Sequence, residues 1–248
     1  MPKVSVVMSC FNEEHHVGRA IQSILNQTFT DFEFIILNDG STDRTLEVIQ
    51  SFLNRDDRIK LHENKSNLGL AASLNKGIRA AKGQYIARMD ADDISFENRL
   101  QIQTSHMDMQ PDIDILGSNA LMKQLKKSTI SAVPLSHLDI KRHAFHKTCI
   151  IHPTVMMKKS CFDKGGYDES LPWAEDKDLW LRWMNIYKFA NLEESLIEYT
   201  VKERITWKIF YYNHLVLVTN LIRMNMLASH FSIVIKSVLS HLKKMMRV

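Results

Sequence analysis

The hydrophobic pattern of the N-terminal third changes period repeatedly. Strand-like runs at Val4–Met8, Glu33–Leu37, Arg58–His62 and Gln84–Met89 alternate with segments whose apolar residues recur every three or four positions. Those segments carry Val17, Ile21, Ile24 and Leu25, then Leu46, Ile49 and Leu53, then Leu70, Leu74, Ile78 and Ala81, closed by Gly83. Period 2 marks strands and period 3.6 marks helices. Their alternation predicts βαβ units: an α/β fold with a Rossmann-like, mostly parallel sheet flanked by helices. Beyond Asp93 the pattern loosens. Phe96–Met109 reads as a helix stopping before Pro111, Ile113–Met122 and Pro153–Met157 as strands, and Glu175–Tyr187 as a helix. The last 40-odd residues read as purely helical.

Open α/β sheets bind ligands beyond the carboxyl ends of their strands. The loops after Met8, Leu37 and Met89 lie at that edge and carry Glu13, Asp39 and Asp90-Ala91-Asp92-Asp93. A fourth acidic pair, Glu175-Asp176, comes much later. Three carboxylates at the end of a buried strand repel one another and lose hydration, and a divalent metal bridging to a diphosphate relieves both. The first loop, Ser9-Cys10-Phe11-Asn12-Glu13, has no glycine, and no Walker A loop is present. The amide cradle of a dinucleotide-binding enzyme is therefore missing, and so is the Gly- and Lys/Arg-rich loop a nucleotidyltransferase needs for a triphosphate. A metal held by Asp90 and Asp92 supplies the neutralisation instead.

A chain of 248 residues, 45% hydrophobic and 24% charged, makes one large domain, or one domain with an appendage. Cys10, Cys149 and Cys161 have no metal-ligand spacing and read as buried thiols in a reducing compartment. Met1-Pro2-Lys3 leads straight into a strand, and no run reaches the roughly 18–20 apolar residues of a membrane span, so the expectation is a cytoplasmic protein. The net charge of +4 is uneven: from residue 201 onward eight Lys and Arg stand against Glu203 alone. Phe231, Val234, Ile235, Val238, Leu239 and Leu242 share one helical face, with Lys236, Lys243, Lys244 and Arg247 off it. Such a basic amphipathic helix suits an anionic membrane interface. The preceding segment puts Phe210, Tyr211, Leu215, Val218 and Ile222 on one side; packing on the body, or a homo-oligomer, is the alternative for both helices. Nucleic acid is not expected, because no recognition motif is present and the body is slightly acidic.

Read in order, the motifs resemble family 2 glycosyltransferases of the GT-A fold over roughly residues 3–200. They are Val4 through Glu13, Asn38-Asp39-Gly40-Ser41-Thr42-Asp43, Asn67-Leu68-Gly69-Leu70, Asn75-Lys76-Gly77-Ile78, Asp90 through Asp93, and Glu175-Asp176-Lys177-Asp178-Leu179-Trp180. The resemblance implies a catalytic domain over 1–200 and a helical basic tail over 201–248. It implies that Ser9, Phe11 and Glu13 line a nucleoside pocket and that Asp39 bonds the uracil of a UDP-sugar. Asn67, Gly69, Asn75, Asp90 and Ala91 would complete the donor site, Asp92 would bind Mn2+ or Mg2+, and Asp176 would be the general base of an inverting transfer. Glu175, Trp173 and His152 would face the acceptor, a saccharide or a lipid-linked saccharide at the inner face of the cell membrane. Acids in the first turn of a helix are favoured by its dipole, which would keep Asp176 ionised. Two positions depart from the family pattern: Asn38, where many relatives have an acid, and Leu74, where relatives often carry Arg. The rival reading is a non-catalytic, membrane-associated nucleotide-sugar-binding protein of the same fold, against which the intact Asp92 and Asp176 argue.

Overall fold

Four strands, β1 (Val4–Cys10), β2 (Phe32–Asn38), β3 (Ile59–Glu63) and β4 (Tyr85–Asp90), pair in parallel in the order β3-β2-β1-β4. The structure is a computed structural model that describes residues 1–124, 127–145, 147–201 and 207–224. Every residue of β1 and β2 is buried, as expected of strands covered on both faces. Val7, Ile35, Leu37 and Ile86 turn to one face, under α3 (Leu70–Ala80) with its Leu74 and Ile78. Val6, Met8, Phe34 and Ile36 turn to the other, under Ile21 and Ile24 of α1 (Val17–Leu25) and Ile49 of α2 (Thr45–Leu53). Gly77 lets α3 lie close on the sheet: a Cβ there would come within 2.7 Å of Leu37 and Val7 side-chain carbons.

Beyond β4 the sheet turns mixed. The further elements are β5 (Ile94–Ser95), α4 (Arg99–Met109), β6 (Ile115–Gln124), β7 (Lys127–Ile130), α5 (His137–His143), β8 (Met156–Lys158), α6 (Glu175–Trp183), β9 (Phe189–Thr200) and α7 (Trp207–Arg223). The order continues β4-β8-β6-β9-β5, with β7 on β6. β8 runs antiparallel to β4 and β6, β9 runs parallel to β6, and β5 closes antiparallel on β9. The parallel arrangement thus holds for the first half of the sheet and gives way to mixed pairing in the second.

Local differences from the sequence pattern have physical causes. The run at Pro153–Met157 begins as a 3-10 turn over His152–Thr154, since Pro153 has no N–H to donate, and only Met156–Lys158 pairs as strand. The longest strand, β9, did not stand out in the sequence. Its register against β6 shifts between Ser118 and Asn119 and again before Leu121, so side chains do not keep a clean period of two. α7 buries Val216, Leu217, Asn220 and Leu221 and leaves Trp207, Tyr211, Leu215 and Ile222 exposed. The side grouped by sequence as one apolar face is thus largely the outer one. The basic amphipathic segment from Phe231 onward lies outside the described residues. Among those described, no helix is long and apolar enough to cross a membrane, and all three cysteines are buried and free.

Candidate active site

Register brings the acidic loops together. Ser9 sits opposite both Leu37 and Asp90, and Cys10 opposite Asn38, so β1, β2 and β4 end nearly level. Cross-bonds then tie the loops. Asn12, with a left-handed φ of 55°, donates its N–H to Ser41 Oγ at 3.1 Å and accepts from the Thr42 N–H at 2.9 Å. Glu14 Oε2 accepts from the Arg44 N–H at 2.9 Å. Buried Asp39 anchors the loop after β3. Its Oδ1 accepts from Asn64 Nδ2 at 2.8 Å and the Leu68 N–H at 2.9 Å, and its Oδ2 from the Gly69 N–H at 3.0 Å. Gly40, with a φ of +70°, is required beside it, because a Cβ would come within 2.6 Å of the Ser66 backbone.

Asp90, Asp92 and Asp93 offer carboxylate oxygens that all lie within 4.8 Å of one another. Asp90 forms an ion pair with the buried Arg88 guanidinium. Asp93 Oδ1 accepts from the Thr200 N–H at 2.8 Å, whereas its Oδ2 is buried with no hydrogen-bond partner. Burial and the adjacent charges of Asp90 and Asp92 push the Asp93 carboxyl up to about 8. An orphaned buried oxygen within a cluster of hard oxygen donors is the environment a Mg2+- or Mn2+-like ion satisfies, so the donor set fits such a metal.

Facing this cluster is the start of α6. Ala174, with a left-handed φ of 62°, turns the chain sharply into Glu175 and Asp176. Burial, then the charge of Asp176, pushes Glu175 up to about 7. Burial also raises Asp176 from the usual carboxylate range, although the Lys177 N–H donates to its Oδ1 at 2.7 Å. Desolvation thus opposes the helix dipole here, and the expectation that the dipole governs Asp176 is corrected. His152 is buried behind the pair. Its Nε2 lies 2.7 Å from the Tyr167 hydroxyl and its Nδ1 4.0 Å from Glu175 Oε1; burial, then the charge of Arg88, holds its pKa far below the usual histidine range.

Ser9, Phe11, Glu13, Asp39, Asn67, Gly69, Asp90, Ala91, Asp92, His152, Trp173, Glu175 and Asp176 all line one crevice of about 1100 Å3. Within it the Phe11 and Trp173 rings are exposed, and the Glu13 carboxylate pairs with His16 at 2.9 Å. Asn75 does not line it, which corrects its assignment to the donor site. Its Nδ2 donates to the Tyr167 carbonyl and to Glu169 Oε1, both at 2.9 Å, and its Oδ1 accepts from the Tyr167 N–H at 3.0 Å, so the side chain is spent on holding the 166–169 segment. The sequence reading missed Arg88, Tyr199 and Asn213, which also line the crevice. For Arg88 a signal existed: a lone cation inside an otherwise apolar strand, two residues before an acidic cluster.

Comparison with known proteins agrees with this arrangement. The model of glycosyl transferase family 2 matches residues 5–165. An uncharacterized glycosyltransferase of Methanocaldococcus jannaschii is 37% identical over 82% of this chain and 72% of its own length. The O-antigen biosynthesis glycosyltransferase WbnJ of Escherichia coli is 32% identical over 83% of this chain and 82% of its own. Among solved structures, S. aureus TarS in complex with UDP superposes with a TM-score of 0.72 at 20% identity, over 93% of this chain and 72% of that one. Mannosyltransferase PcManGT of Pyrobaculum calidifontis, in complex with GDP-Man and Mn2+, gives a TM-score of 0.68 at 16% identity, over 90% of this chain and 64% of that one. The chain belongs to glycosyl transferase family 2 and has the GT-A fold; it is a glycosyltransferase.

Proposed function

We propose that the protein transfers a sugar from a UDP-sugar to a hydroxyl of a saccharide or lipid-linked acceptor, with inversion at the anomeric carbon and dependence on a divalent metal. The reading is supported above all by one observation: Asp90 and Asp92 of the acidic cluster and the Glu175–Asp176 pair line a single crevice of about 1100 Å3. Phe11 and Ser9 border the space for the base and Glu13 that for the ribose, while Asp39 keeps the loop carrying Asn67 and Gly69 in place. Asp90, Asp92 and Asp93 would hold Mn2+ or Mg2+, which when bound supplies charge neutralisation for a diphosphate. Arg88 fixes Asp90 and adds a permanent positive charge to the same wall.

In this reading the Asp176 carboxylate takes the acceptor hydroxyl proton as that oxygen attacks the anomeric carbon. The bond from that carbon to the diphosphate breaks, and UDP leaves with the electron pair. UDP is preferred because the TarS complex contains it. Surface-polysaccharide or glycolipid synthesis follows from the likeness to WbnJ. The basic segment from residue 201 onward would hold the protein peripherally on the inner face of the membrane. Calorimetry with UDP, GDP, CMP and NAD, each with and without Mn2+, tests the donor site. The expected result is Mn2+-dependent UDP binding that Asp92→Ala removes. Metal-independent NAD binding would overturn the reading, and binding of none of the four would favour a non-catalytic protein of the same fold.

A further inference from the structure

Beside the crevice lies a second cavity of about 150 Å3, walled by α5, the segment after it, α6 and α7. Thr148, Ile150, Asp176 and Asn213 line both spaces, so the two meet at the proposed base. The α6 wall changes character along its length. Asp176 and Lys177 stand in the first turn, followed by Trp180, Leu181 and Met184. From the first of these to the last the helix rises roughly 12 Å. The facing wall carries Ile140, Ala144 and Phe145, followed by the exposed Lys147 and Thr148.

Within this space, lined by polar and apolar groups in nearly equal share, the Lys177 ammonium donates to the Asn213 main-chain carbonyl at 3.3 Å and has no other hydrogen-bond partner among the described residues. Burial lowers its pKa to about 8. The Trp180 indole N–H is also buried and unpartnered. A cation with a single, long acceptor contact calls for a ligand that brings acceptor oxygens, and the apolar part of the lining calls for one that also brings hydrocarbon.

We propose that this chamber receives the phosphate-linked hydrocarbon chain of a lipid-linked acceptor. The phosphate lies against Lys177, the first carbons of the chain run along Trp180, Leu181 and Met184, and the sugar hydroxyl stays at Asp176. The inference rests on the transferase reading and narrows its acceptor. The order of groups along α6 (acid, cation, apolar surface) is the order of groups in such a molecule (hydroxyl, phosphate, chain). A free saccharide would leave the apolar end unfilled, and a neutral glycolipid would bring no charge to Lys177. α7, which supplies Asn213 at the mouth, exposes Trp207 and Tyr211 outward, residue types that favour a bilayer interface.

The test is calorimetry on the full chain loaded with UDP and Mn2+, titrated with decyl phosphate below its micellar concentration, with inorganic phosphate and with decyl maltoside. Decyl phosphate is expected to bind at least about tenfold more tightly than either other probe, a difference of about 1.4 kcal/mol. Lys177→Met and Thr148→Trp, the latter an exposed mouth position, should each remove that preference; Ala144→Phe, which fills the chamber, is the second blocking variant should Thr148→Trp not fold. Equal affinity for decyl phosphate in wild type and variants would assign the binding to the exposed α7 stripe and overturn the proposal. Equal binding of decyl maltoside or of inorganic phosphate would overturn it in favour of a plain apolar or plain anion site. UDP binding is measured first on the same sample, so its absence counts against the transferase reading and not against the chamber.

Discussion

The crevice has two walls of different construction. On the wall built from β1 to β4, the lining residues sit at strand ends or just past them: Ser9, Cys10, Phe11 and Glu13 at the end of β1, Asp39 after β2, and Asp90 to Asp92 at the end of β4. On the wall built after β4, His152 sits in a 3-10 turn, Glu175 and Asp176 start α6, Tyr199 is the penultimate residue of β9, and Asn213 lies inside α7. The first wall inherits its geometry from parallel register and is therefore written in short contiguous motifs. The second is assembled from separate elements held by long-range bonds, and its chemistry is spread thinly along the chain. A nucleotide that differs little between reactions suits the first construction. An acceptor that differs from enzyme to enzyme suits the second.

Substitutions on the two walls should separate these roles. The largest effect is expected from Asp176→Asn, with kcat lowered at least about 10³-fold and UDP affinity held within about twofold. Single-turnover transfer and UDP calorimetry on one preparation measure both, and joint loss would remove Asp176 as the base. Next comes Arg88→Leu, which leaves Asp90 facing Asp92 and Asp93 without its buried partner. Urea unfolding should show a loss of about 3–5 kcal/mol, the range for breaking a buried pair.

The pH dependence probes the second wall and, through the raised Asp93 carboxyl, the first as well. Burial raises Glu175 to about 7 and also raises Asp176. A carboxylate whose folded pKa is raised favours the protonated form in the native state, so the base is lost as pH falls through that raised value. The kcat/KM profile should therefore drop about tenfold per unit on its acid side, with its midpoint above the ordinary carboxylate range. The same shift costs stability in the other direction. The stabilisation is whole below the unfolded value near 4.5 and is lost as pH rises to about 7. The smallest effect is expected from Asn75→Ala. Loss of its bonds to Tyr167 and Glu169 should cost about 1–2 kcal/mol of stability, with UDP affinity unchanged. A weakened UDP affinity would return Asn75 to the donor wall.

These two constructions also explain what could be read before the structure. The helices and strands of the first half were legible because both faces of β1 and β2 are buried and the helices between them carry regular apolar stripes. Asp92 and Asp176 were read from the sequence as parts of one site, and both line the crevice. Tyr199 was not, because β9 carries a bulged register that blurs its alternation. The place of Asn75 was not, because an amide that caps a distant loop looks in sequence like one that meets a ligand. The character of Asp176 was half legible: position in the first turn of α6 is local, whereas the crevice in which it loses hydration is assembled from distant elements.

Thr200 ends β9, and from there it donates its N–H to Asp93 and its hydroxyl to the Asp92 carbonyl. The first of these bonds spans 107 positions of chain. A ribosome that has made the acidic loop has therefore not yet made its latch. The nascent chain can fold the four parallel strands as they emerge, but Asp93 waits for a residue at the very end of β9, the last strand of the sheet among the described residues. Sequence order thus acts as a timer: the acidic loop is fastened only once the chain has been made as far as the end of β9.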